Sequence, residues 1–145
     1  MASPSFDSPQ AAALAGFPEG AARVLATRAN GENAYVLLDT RPNGPRYVYG
    51  IECMRAGHGW VEGSSSNAAS GWMITHRDSG LGMVVIWDDA PVAADLVRVA
   101  LGSDIHEEPV ENGVFLSAWW RIPCPENVRP GAIAFRVSGR WVEAR

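Results

Sequence analysis

Lysine is absent from this 145-residue chain: all 12 basic residues are arginines, and they are scattered singly along the sequence. A nucleic-acid partner needs basic groups gathered against successive phosphates, so a chain with single arginines and a formal charge of −4 is expected to bind none. Long apolar runs are missing too, and none approaches the ~20 residues of a bilayer-spanning helix. No membrane span is expected. Cysteine is scarce: Cys53 and Cys124 are the only two, too few for a disulfide framework. The apolar run Ala11–Ala15 is short and follows no basic residue, so it does not read as an export signal. The expected setting is therefore cytoplasmic, with both thiols reduced. Helical periodicity is also lacking, and no helix longer than two turns is supported.

Hydrophobic residues make up 47% of the chain and charged ones 19%, a composition that folds. The pattern is that of strands. Between Asp95 and Ile122, Val97, Val99 and Leu101 alternate with Leu96, Arg98 and Ala100, a period of two. A polar run, Ile105–Val110, leads to Asn112-Gly113, the dipeptide that most readily supplies two residues with φ > 0 for a tight turn. Val114, Leu116, Ala118, Trp120 and Ile122 then form one apolar face that needs a second layer to cover it. The expectation is that 96–101 and 114–122 are neighbouring strands of one sheet.

Other runs have the same texture. Residues 1–20, rich in Ser, Pro, Ala and Gly, read as a flexible lead in which Ser8-Pro9 starts at most two helical turns. Strands are expected from Val24 and over Ala34–Asp39. Along 46–54, Tyr47, Tyr49, Ile51 and Cys53 share a face. Gly63–Ser70 has no large apolar side chain and reads as an exposed loop. Met83–Trp87 is apolar on both faces, which suits a central strand, and Ile133, Phe135 and Val137 alternate before the turn at Ser138-Gly139. About ten short strands at this spacing predict an all-β, antiparallel sandwich forming one domain over 21–145.

The run Ala90-Pro91, Leu96-Val97-Arg98-Val99, Val110-Glu111-Asn112-Gly113-Val114-Phe115 and Trp119-Trp120 resembles a β-sandwich module of uncharacterised actinobacterial proteins. The closing Phe135–Trp141 is similar to their final hairpin. The resemblance implies an immunoglobulin-like sandwich and brings no activity, ligand or cofactor.

Chemical motifs are thin. His58, His76 and His106 share no metal-ligand spacing, and the acidic groups 88–95 and 104–111 lack the Asp-x-Asp-x-Asp-Gly pattern of a calcium loop, so neither a metal site nor a cofactor is expected. Ser65 lacks the Gly-x-Ser-x-Gly elbow, and Cys53 lies on an apolar strand face, so no catalytic residue is assigned. Six tryptophans are the notable resource, with Trp60, Trp72, Trp119 and Trp141 as candidate exposed platforms. Trp60 and Trp72 flank the polar 63–70 segment, and rigid rings beside adaptable Ser65 and Asn67 make these four the candidate binding residues. The function read from this is a non-catalytic module that meets a protein partner or its own copy. A carbohydrate-binding module is the alternative, and a small hydrolase a second one.

Overall fold

The computed structural model describes residues 5–67, 71–76 and 80–144, with only the backbone described at 64–67, 71–73 and 75–76. The chain is all-β and sandwich-like, with every strand pairing antiparallel, as the alternation predicts. Two compact units, residues 1–69 and 70–145, are described in turn.

The first unit is a meander of four strands, β1 (Arg23–Ala29), β2 (Asn33–Asp39), β3 (Val48–Ala56) and β4 (Gly59–Asn67), in that spatial order. Residues read as a flexible lead supply a helix here, α1 (Pro9–Leu14), started by Ser8, whose Oγ accepts from the Ala11 N–H at 3.1 Å. Small Ala12 and Ala13 let α1 approach the sheet closely, and they share a core with Val36, Leu38, Ile51, Cys53 and Trp60. That packing supplies the order that six helical residues cannot supply alone. Phe6 is held as well, bonded through its main chain to Trp60 in both directions at 2.9 and 2.7 Å.

The expected 63–70 loop needs correction. Residues 63–67 continue β4 against β3, with Ser65 opposite Ile51 and Asn67 opposite Tyr49. The pairing is made by backbone groups, so a lack of apolar side chains did not forbid it. The rest of that segment lies outside the described residues.

Among its described residues the second unit holds seven strands: β5 (Gly71–His76), β6 (Leu81–Asp89), β7 (Ala94–Leu101), β8 (Asp104–Pro109), β9 (Val114–Pro123), β10 (Pro130–Val137) and β11 (Arg140–Glu143). They form two sheets, β5-β6-β9 and β11-β10-β7-β8. Val84, Ile86, Phe115 and Trp119 from the first share a core with Val97, Val99, Leu101, Ile133 and Phe135 from the second. The runs 96–101 and 114–122 are therefore not neighbours in one sheet: β7 pairs with β8 and β10, while β9 pairs with β6. Asn112 and Gly113 do adopt φ of 51° and 79°, but the turn is followed by a single bridge, Glu111↔Val114, after which the chain enters the other sheet.

The expected face of β9 is corrected at its end. Phe115 and Trp119 point into this core, and Ile122 joins their side because Arg121, at φ 57°, bulges the strand and shifts its register with β6.

Candidate functional site

The candidate residues drawn from the sequence do not assemble in one place. Trp60 is buried in the first unit's core, with the Arg55 guanidinium 5.2 Å from its ring centre. Ser65 and Asn67 lie on β4 of that unit, while Trp72 lies on β5 of the second. The side chains of the last three lie outside the described residues. Trp119 is also buried, so it is no platform. Cys53 is packed beneath α1, its thiol donating to the Pro9 carbonyl at 3.5 Å, and burial, with Glu62 and Glu52 adding, pushes its pKa up to about 11. Such a thiol is protonated and inert at neutral pH.

Two arrangements in the second unit went unread in the sequence. The first is a polar seam where edge strand β8 meets β9 of the facing sheet. His106 stacks on Trp119 with ring centres 4.1 Å apart and planes 13° from parallel. Its Nδ1 lies 2.9 Å from Ser117 Oγ, and the Ser117 hydroxyl donates to Glu108 at 2.8 Å. Because that hydroxyl proton is committed to Glu108, the imidazole Nδ1–H donates to Ser117. Trp119 Nε1 donates to Asp104 at 3.1 Å, and His106 Nε2 is 3.7 Å from the same carboxylate.

Serine, histidine and carboxylate are thus gathered as a hydrolase would need, but the direction is wrong. A nucleophilic serine gives its proton to the imidazole, whereas Ser117 gives it to Glu108 and has no exposed surface. The seam's work is structural. It satisfies a buried hydroxyl and ties two sheets together. Only the alternation of β8, which aims His106 and Glu108 to one side, hinted at it. Among the described residues, no three His, Cys, Asp or Glu gather to hold a metal ion.

The second arrangement is the outer face of β11-β10-β7-β8. The alternation that sends Val97, Val99 and Phe135 inward turns Arg98, Arg136 and Trp141 outward. The Arg98 guanidinium sits 3.8 Å from the Trp141 ring centre, and its Nε donates to Glu107, directly opposite on β8, at 3.2 Å. Beside them Arg136 clasps Asp95 with two hydrogen bonds, one of 3.0 Å from Nε. Those bonds hold the Asp95 carboxyl below the usual carboxylate range. A bulge in β7 at this point brings Asp95 to the Arg136 side.

At one end of the second unit a cavity of about 410 Å³ opens, lined by Asp88, Asp89, Ala90, Pro91, Phe115, Ile133, Phe135 and Ala144. Phe115 and Phe135 meet edge to face at 5.6 Å in its floor. Compared with family models, curated proteins and solved structures, the chain matches none.

Proposed function

We propose that this protein is a non-catalytic interaction module whose recognition surface is the outer face of β11-β10-β7-β8. The observation that carries the reading is Trp141 held in place by Arg98, which is itself anchored by Glu107. Tryptophan and arginine dominate the energetics of protein interfaces, and side chains already fixed lose little freedom on binding. The side chains of Arg98 and Glu107 are each 49% exposed, so the pair stands open to a partner.

Sugar recognition is less well supported. It asks for free aromatic faces, and Arg98 already covers one face of Trp141, while Trp60, Trp87 and Trp119 are buried. Hydrolysis is disfavoured by the burial of Ser117. The reading keeps the cytoplasmic setting and the immunoglobulin-like arrangement that the resemblance implies.

The test is capture from a lysate of the source organism, with a glycan array run in parallel. A discrete set of proteins retained by the chain, lost with Trp141→Ala and with Arg98→Glu while circular dichroism stays unchanged, is the expected result. Tryptophan-dependent glycan binding with no protein retained would favour the carbohydrate alternative instead.

A further inference from the structure

The two edges of sheet β11-β10-β7-β8 are unlike. β8 carries Asp104, Glu107, Glu108 and Pro109, the charges and proline that keep another strand away. β11 reads Arg-Trp-Val-Glu, with one charge of each sign, no proline, and Val142 54% exposed. It lacks the protection its opposite edge has.

Its main-chain groups can be placed. The Ala144 N–H donates to the Ile133 carbonyl at 2.7 Å, in the same register as Phe135↔Val142 and Val137↔Arg140. In an antiparallel ladder hydrogen-bonded pairs alternate with open ones, so Arg140, Val142 and Ala144 spend their N–H and C=O groups on β10. Those of Trp141 and Glu143 point away from the sheet.

We propose that β11 pairs with β11 of a second copy, antiparallel, about a two-fold axis at Val142. This deepens the interaction-module reading, on which it rests, by naming the chain's own copy as a partner. Each face of the sheet must continue across the junction, so only residues of like parity stand opposite one another. Centring on Val142 sets Trp141 opposite Glu143 of the second copy, and the outward groups of both then bond. Val142 meets its own counterpart on the side that carries Phe135, and an exposed apolar side chain is covered.

The same register sets Arg140 of the second copy opposite Ala144. Ala144 lines the cavity rimmed by Asp88 and Asp89, so a guanidinium arrives beside carboxylates. A centre at Trp141 would instead set Arg140 against Val142, with no charge to meet. Four residues a side is far below the ~20–30 of a standard interface, so the dimer is weak and concentration-dependent.

Sedimentation velocity of the full chain over a wide concentration range should show one chain in equilibrium with two. Glu143→Pro removes an outward N–H and no bond to β10, and Arg140→Glu reverses the charge facing the cavity; each should raise the dissociation constant at least tenfold. Opposed open pairs lie about 4.5 Å apart at Cα, within disulfide reach, so Val142→Cys on a Cys124→Ser background should give a covalent dimer on mild oxidation. A monomer at every concentration, growth beyond two chains, or cross-linking through Trp141→Cys rather than Val142→Cys would overturn the pairing. A monomer that still captures proteins through Trp141 sinks this pairing alone. Loss of capture on Trp141→Ala with capture retained by Glu143→Pro keeps the two surfaces distinct.

Discussion

Gly50 shows how one missing side chain lets another be buried. In β3 it lies under the Tyr35 hydroxyl, and a Cβ built there would come within 1.9 Å of that oxygen. Burial pushes the Tyr35 phenol far above its ordinary pKa, with Glu52 adding, so the ring has a fixed and neutral place. Gly50→Ala must move the whole ring, and the expected loss lies at the upper end of the ~1–3 kcal/mol typical of overpacking. Urea unfolding measures it, and a loss under half a kcal/mol would show that Tyr35 has another place to go.

Cys53 gives a second test at this scale. Its folded pKa is raised, so its contribution to stability is present below the thiol's ordinary range and is lost as pH rises through about 11. At neutral pH an alkylating reagent should modify exposed Cys124 and spare Cys53 until the chain is unfolded. Equal labelling of both thiols in the native protein would contradict the packing of α1 over the sheet.

Among the elements, β8 has two faces with different tasks. Outward, Glu107 anchors Arg98; inward, His106 and Glu108 hold Ser117 of β9. Removing the hydroxyl breaks the hydrogen bonds by which Ser117 joins the His106 imidazole to the Glu108 carboxylate. Ser117→Ala is therefore expected to destabilise by about 1–3 kcal/mol. Ser117→Thr would add a methyl to a site with no exposed surface and should not restore full stability. Thermal unfolding of the two variants reads both effects, and a neutral Ser117→Ala would mean that the seam ties nothing together.

On the scale of the whole molecule, strands buried on both faces should protect their amides longest. In β2 and β6 nearly every residue is buried, whereas β8 and β11 are short edges. Among the described strands, hydrogen exchange is expected to be slowest at 34–38 and 83–87 and fastest at 104–109 and 140–143. Slow exchange at β11 that fades on dilution would itself report the pairing of two copies.

Much of this was written locally. Alternation fixed the strands, since a two-residue period can bury a face only as extended chain, and the turns at Asn112-Gly113 and Ser138-Gly139 took the positive φ values that their residue types favour. The shared face of Tyr49, Ile51 and Cys53 followed from the same period, whereas Tyr47, which precedes β3, stays exposed. What the period could not say is which strand lies beside which. A strand's alternation is the same whether its neighbour is in its own sheet or across a core, so only the assembled molecule put β7 and β9 in facing sheets. Backbone pairing, blind to side chains, drew Ser65 and Asn67 into a strand. Helix α1 gained its order from the sheet beneath it. The meetings of Ser117 with His106 and of Arg98 with Trp141 depend on how the strands assemble, which the alternation of β8 only hints at; the tertiary structure alone decided that Trp60, Trp87 and Trp119 are core.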